Sequence, residues 1–392
     1  MPRPHVRAWL DRLFDLLPPA TSLIAALAVA SILLLAMSAN VGEAYLALAS
    51  GAFGTENATA ETLVKAIPVL FVAIGICVAF RANVINIGGE GQMIAGAVAG
   101  VTIALAFGSV LPPLVVILLS LLAGFASGAL YGGIAGFLKA YFNVNEILST
   151  IMLNQVAVQM MNYLLNGPLL DPTEVGTNHI PKTARILNEL QLPRLTIGWF
   201  DGVEFFARTR LHYGLLIAIL LAIVIYILLW HTPLGYRIRA VGFNERASRY
   251  AGIHVRRQLV LAMCLAGGCA GLAGVVQVLG LQYRLQTDGS PAGFTANAGF
   301  NGIVAALFGG LNPFGAIPAS IFFGGLLVGA QNMQRDIGVP ASLITTVNGI
   351  IVVFAVSSQV FVQRRRQRRR QVEAPPAPAI QAMETSVQKV EA

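Results

Sequence analysis

The sequence predicts an all-α, polytopic membrane protein of about ten transmembrane helices, with broken helices and an inverted internal repeat that relates spans 2–5 to spans 7–10. Three observations carry this expectation. Hydrophobic residues make up 56% of the 392 and charged residues only 11%, far from the balance of a soluble domain. Charge is missing from stretches longer than the roughly 20 residues that one helix needs to cross a bilayer. Only Glu90 is charged between Arg81 and Lys139, and nothing is charged between Arg257 and Arg284 or from Gly289 to Gln334. Finally, Asn86-Ile87-Gly88-Gly89-Glu90-Gly91-Gln92 sets glycines and polar groups inside an apolar run, and its Asn-x-Gly-x-x-Gly spacing returns in Asn297-Ala298-Gly299-Phe300-Asn301-Gly302. Glycine weakens a helix and Asn, Glu and Gln need partners in hydrocarbon, so each stretch predicts a break that is buried or lines a wet cavity. Close helix packing through glycine, with the polar groups capping one another, is the alternative reading of the same residues.

The first span is expected over Leu23 to Met37, after a cytoplasmic N-terminus at residues 1–20 that holds Arg3, Arg7 and Arg12. Ala36-Met37-Ser38 resembles a signal-peptide cleavage site, and an uncleaved span is the preferred reading. Asn40 to Glu61, with three glutamates and no Lys or Arg, reads as an outer polar stretch; span two follows from Thr62 to Phe80. The broken segment Val84 to Phe107 returns outward. Pro112-Pro113 then opens a fourth span in which Gly124, Gly128, Gly132 and Gly136 recur every four positions, the spacing of a close-packing face. Glu146 to Leu165 forms the fifth, where Ser149, Thr150, Asn154 and Gln155 are expected to face the bundle. Asn166 to Arg210 is a long polar loop. Span six covers Tyr213 to Trp230 and span seven Leu259 to Leu281; the second broken segment, span nine over Phe314 to Met333, and span ten over Ala341 to Val362 complete the transmembrane domain, residues 21–362.

Between spans six and seven, residues 231–258 hold six arginines against Glu245 alone, which places this loop in the cytoplasm. Within it a short helix between Gly242 and Gly252 is expected to start at Asn244. Ala247, Tyr250, Ala251 and Ile253 alternate there with arginines and give a face that calls for a protein partner. Residues 363–392 begin with an arginine block, Arg364 to Arg370, and continue as a Pro-rich tail expected to be disordered and cytoplasmic. Both termini thus lie inside. The second echo of the repeat pairs Val144 through Leu148 with Val339 through Leu343.

Several chemistries are excluded or weakened. No Gly-Lys pair exists, so no phosphate-cradling loop of the Gly-x-x-x-x-Gly-Lys type can form, and ATP energy has to come from another subunit. The five histidines fall outside or at the edges of the spans, which argues against metal or proton-relay chemistry in the membrane and against an enzyme. Cys77, Cys264 and Cys269 read as small core residues. Glu90 and Glu146 are the only acids near the membrane core; they read as helix-start or packing groups, with ion coupling as the rival.

The stretches NIGGEGQMIAGA, NEILSTIMLNQVA, TPLGYRIRAVGFNERASRYAGI and GFNGIVAALFGGLNPFGAIPAS, over about Val64 to Val356, resemble the permease subunits of ATP-binding-cassette importers in the branched-chain amino acid, ribose and nucleoside group. The resemblance is greatest to nucleoside, simple-sugar-like permeases. It implies a permease of the bacterial inner membrane that pairs with an ATPase subunit, a second related permease and a periplasmic or lipoprotein solute-binding protein, with no nucleic acid and no bound cofactor. The implied solute is a nucleoside, most of all a purine nucleoside, with ribose or another simple sugar next and an ion-coupled secondary transporter as the rival class. Residue type suggests a solute path along Asn86, Glu90, Gln92, Asn145, Asn154, Phe294, Asn297, Phe300 and Asn301. Contact with the ATPase is assigned to Arg239, Gly242, Asn244, Glu245, Arg246, Tyr250 and Gly252.

Overall fold

The computed structural model describes residues 24–25, 27–36, 40–174, 181–198, 204–206, 208–338, 346, 349–350 and 353. The N-terminus, all but four residues of the expected tenth span, the Val339–Leu343 echo, the arginine block and the Pro-rich tail lie outside the described residues. Six described helices are long and apolar enough to cross a membrane. Among the described residues the named elements are all helical apart from a two-residue antiparallel ladder in the long loop, β1 (Ile197–Gly198) with β2 (Glu204–Phe205).

A short apolar helix, α1 (Leu27–Ala36), leads to α2 (Val41–Phe53). The expected polar stretch is therefore helical over its first part. Only Glu43 is charged in α2, Asn40 caps it by accepting from the Gly42 and Glu43 amides, and its Ala44, Ala47 and Ala52 are buried. Helix α3 (Glu56–Arg81) is the axis of the molecule: every residue from Ala66 to Ala79 is buried, as a helix that is apolar all round must be. After Arg81 the chain turns through Asn83 in the left-handed region (φ 58°). It then passes into α4 (Gly89–Phe107), α5 (Pro113–Phe142) and α6 (Glu146–Leu165), whose starts fall where proline and Asn145 predict them.

Helix α7 (Gly214–His231) is followed by two short helices, α8 (Pro233–Phe243) and α9 (Glu245–Tyr250). The first of these is a helix where the sequence predicts loop; Thr232 caps it by accepting from Gly235 N. Next, α10 (Val255–Gln277) ends in a π-helical turn over Val278–Gln282. The last described elements are α11 (Pro291–Thr295), α12 (Ala298–Phe308) and α13 (Pro313–Ile337).

The expected glycine face is where α5 meets α10: a methyl group on Gly128 would lie 2.3 Å from the Gly267 carbonyl oxygen. Two backbones approach this closely only without side chains between them. The opposite face of α5, with Leu114, Leu118, Leu122, Leu130 and Ile134, is exposed and apolar.

The two ends of α3 meet different polar surfaces. At Glu61, Arg210 of the long loop forms a two-bonded ion pair, 2.7 and 2.8 Å, and Phe206 N donates to Glu56. The same loop is stitched to the end of α10, where Ile186 N donates to Tyr283 O and Leu192 N to Leu279 O, both at 2.9 Å. At the other end, Arg81 donates to Leu311 O at 3.1 Å and stacks over Trp230, 5.2 Å from the ring centroid. Arg239 approaches the same ring at 5.9 Å. The acidic stretch and the long loop thus share one end, and the arginine-rich segment occupies the other.

Candidate functional site at the meeting of two helix starts

The residues after Arg81 run back into the bundle. Val84 to Ile87 are not helical, and α4 begins at Gly89 beside Val72, where a methyl on Gly89 would lie 3.1 Å from the Val72 side chain and 3.2 Å from Gly299 Cα. Val72 stands nine residues before Arg81, about 14 Å along α3, near half of a hydrocarbon core of roughly 30 Å. Gly302 of α12 packs on Val72 as well. Both predicted breaks therefore meet at the same depth.

From that level the helices diverge. Helix α4 runs to Gly108, which abuts Leu190 of the long loop, whereas α12 runs to Leu311, which is held by Arg81. Two helix starts that face each other bring two sets of unpaired N–H groups and two positive dipole ends together. Glu90 answers this: buried in the first turn of α4, its Oε1 accepts from Phe300 N at 3.2 Å, with Gly299 N and the Thr295 hydroxyl also against the carboxylate. Among the described residues no Lys or Arg forms an ion pair with it.

The start of α4 is fixed from the other side by α6. Gly91 N donates to Asn154 Oδ1 at 2.8 Å, and Asn154 Nδ2 donates to Ile87 O at 3.0 Å, so one buried amide holds both sides of the break. Asn86 and Gln92 pair with each other, Nδ2 to Oε1 at 2.9 Å and Nε2 to Oδ1 at 3.0 Å, and Asn86 also accepts from Gly88 N. These buried polar groups find the partners that their depth demands.

The remaining path candidates are placed as follows. Phe294 of α11 is buried. Asn297 sits before α12 in the left-handed region (φ 60°) and is exposed. Phe300 is exposed and Asn301 half-buried on α12. Asn145 lies elsewhere, capping α6 through the Ile147 and Leu148 amides beside the Lys139–Glu146 ion pair of 2.9 Å.

Sequence reasoning missed a stripe on α6. Ser149, Thr150 and Asn154 face the bundle as expected, but Gln155 is exposed, as is Gln159, and half-buried Asn162 follows. The i, i+4, i+7 spacing of these three was present in the sequence and marks one helix face. Asn162 Oδ1 accepts from the Thr287 hydroxyl at 2.8 Å, which ties this face to the loop before α11.

At the Arg81 end, Asn244 caps α9 by accepting from Ala247 N at 3.0 Å, as the sequence predicts. A methyl on Gly242 would lie 2.1 Å from the Arg81 carbonyl oxygen, so α8 rests directly on the end of α3. Glu245, Arg246 and Ala247 are exposed, and Phe243 and Tyr250 are 76% and 94% exposed, which leaves an aromatic and charged surface uncovered.

Residues 58–356 match the family model for the branched-chain amino acid transport system permease component. The chain belongs to that family. The permease is 35% identical over 349 residues to the guanosine ABC transporter permease protein NupP of Bacillus subtilis, covering 89% of this chain and 95% of NupP. It is 31% identical over 366 residues to the glucose ABC transporter permease protein TsgB13 of Haloferax volcanii, covering 93% and 92% of the two chains. The nucleoside ABC transporter permease protein NupB of Lactococcus lactis is 30% identical over 380 residues, covering 96% of this chain and 97% of NupB. No solved structure matches the chain. The permease is a multi-pass membrane transport protein, a component of a larger system and not an enzyme.

Proposed function

We propose that this permease is one half of the membrane channel of an ATP-binding-cassette importer that carries a nucleoside, above all a purine nucleoside, across the inner membrane. The meeting of α4 and α12 starts at mid-depth carries the reading, because discontinuous helices joined there are how repeat-built transporters form a solute route. The opposite headings of the two helices support an inverted repeat of spans 2–5 and 7–10 in a chain of ten spans, with residues 1–20 and 363–392 in the cytoplasm.

The solute passes along the face that holds Asn297, Phe300 and Asn301, continued by Gln155 and Gln159 on α6. Exposed amides at membrane depth are costly against lipid, so this face is covered by a second, related permease and by water. Asn86, Glu90, Gln92 and Asn154 hold the break in place behind it. The two remaining path candidates, Asn145 and Phe294, act from the start of α6 and from α11. The segment 231–258 docks on the ATPase through Arg239, Gly242, Asn244, Glu245, Arg246, Tyr250 and Gly252. ATP is consumed by that partner, and a binding protein delivers the solute at the Glu61–Arg210 end.

The similarity to TsgB13 favours a second reading, a simple-sugar importer. Uptake of a labelled purine nucleoside by cells that depend on this permease, competed with unlabelled nucleosides and with hexoses or ribose, tests the choice. Competition by purine nucleosides alone supports the first reading; competition by sugars alone replaces it with the second.

A further inference from the structure

Beside the α9–α10 connection, at the Arg81 end of the bundle, lies a cleft of about 620 Å³ with Tyr141 on one wall and Arg249, His254, Arg256 and Arg257 on the other. None of its lining residues is acidic. The nearest acid in sequence to Tyr141, Glu146, is already paired with Lys139 at 2.9 Å. The cleft also takes in the first turn of α10, a 23-residue helix whose start has no side-chain cap, so its unpaired amides add positive character to that of the guanidinium groups.

The wall opposite the arginines decides what fits. Tyr141 belongs to a ring cluster at the end of α5, with Phe137–Tyr141 and Phe137–Phe142 centroids 4.7 and 5.9 Å apart. All three rings are 46% or more exposed, and they continue the apolar surface of Leu122, Leu130 and Ile134. An aromatic cluster at the end of a lipid-facing helix sits at headgroup level. Arg256 lies 5.4 Å from the Tyr141 ring centroid, which brings fixed positive charge to the same level.

We propose that this cleft binds the headgroup phosphate of an anionic phospholipid, with the acyl chains lying along the exposed face of α5. A cationic pocket that shares Tyr141 with the exposed ring cluster of α5 selects a ligand with a phosphate at one end and hydrocarbon at the other. A soluble anion would make no use of the apolar wall. The lipid thereby braces the start of α10 and the α9 segment attached to it. This assignment is independent of the solute carried; the cleft shares Gly252 and the 231–258 segment with the proposed ATPase contact, which is why the test reads lipid and ATPase cross-links separately.

The test uses the purified full complex in nanodiscs of phosphatidylcholine with or without phosphatidylglycerol, with lipid retention read by native mass spectrometry. The wild type should retain phosphatidylglycerol in preference to phosphatidylcholine. Arg256→Gln with Arg257→Gln should reduce that preference on the order of tenfold, since each cation near an anionic surface contributes a several-fold factor. Arg249→Gln alone should reduce it less, and Arg335→Gln, at the opposite end of the bundle, should leave it unchanged. A photo-reactive residue replacing Tyr141 should cross-link to lipid. Undiminished preference in the double variant, displacement of the lipid by inorganic phosphate, or cross-linking of position 141 to the ATPase subunit would each overturn the assignment.

Discussion

The Glu90 carboxylate of α4 accepts a hydrogen bond from the Phe300 backbone amide of α12, 3.2 Å away and 210 positions along the chain, so one broken helix caps the start of the other. If this contact is a cap, the charge matters less than the acceptor. Glu90→Gln should keep most of the uptake activity, whereas Glu90→Ala should lower stability by roughly 0.5–2 kcal/mol and abolish uptake. Thermal unfolding in detergent and solute uptake measure the two effects. Loss of uptake in Glu90→Gln with unchanged stability would instead mark Glu90 as an ion or proton site.

Asn154 holds Gly91 N and Ile87 O together. Replacing it with Leu leaves the buried Gly91 donor without a partner, at about 1–3 kcal/mol, and frees the half-buried Ile87 carbonyl as well. A melting temperature lowered well beyond that of Gln155→Leu is the expected outcome, because the Gln155 side chain is exposed.

Gly128→Ala would place a methyl 2.3 Å from the Gly267 carbonyl and force α5 away from α10. Overpacking of this kind costs about 1–3 kcal/mol. Reduced yield of folded protein by size-exclusion chromatography is expected, and Leu118→Ala on the exposed face of the same helix should give a normal yield.

His212, just before α7, is buried, accepts from Gly214 N at Nδ1, and is pressed by Gly214 and Gly280. Burial pulls its pKa from the usual 6.5 down to about 4. The folded state favours the neutral ring, so the stability it contributes is present above pH 6.5 and is lost as pH falls from there towards about 4. Melting curves between these values should show an acid-dependent loss in the wild type that is smaller in His212→Gln.

Local signals made much of this legible in the sequence. Asn145 and Asn244 announced the starts of α6 and α9, the four-residue glycine spacing announced a close-packing face on α5, and the repeated Asn-x-Gly-x-x-Gly announced both breaks. What the sequence could not supply were partners distant along the chain. Nothing near Glu90 points to Phe300, and nothing near His212 points to Gly280. Helix α2 was obscured by reading the glutamates of residues 40–61 as one polar stretch, although all but Glu43 lie beyond its end. The sequence expectation turns Gln155 inward with its neighbour Asn154, yet adjacent positions on a helix point about 100° apart, so only one of the two can face α4.

As proposed above, solute passage is coupled to an ATPase through the segment that carries Glu245. The deciding measurement is ATP hydrolysis by the reconstituted complex with and without solute-loaded binding protein, in wild type and in Glu245→Arg. That change removes a helix-start contribution of roughly 0.3–1 kcal/mol and puts like charge among the arginines. Coupling through this segment predicts a normally assembled complex that binds solute but loses stimulation of hydrolysis. Full stimulation in Glu245→Arg, or uptake by this chain without any ATPase subunit, would contradict it.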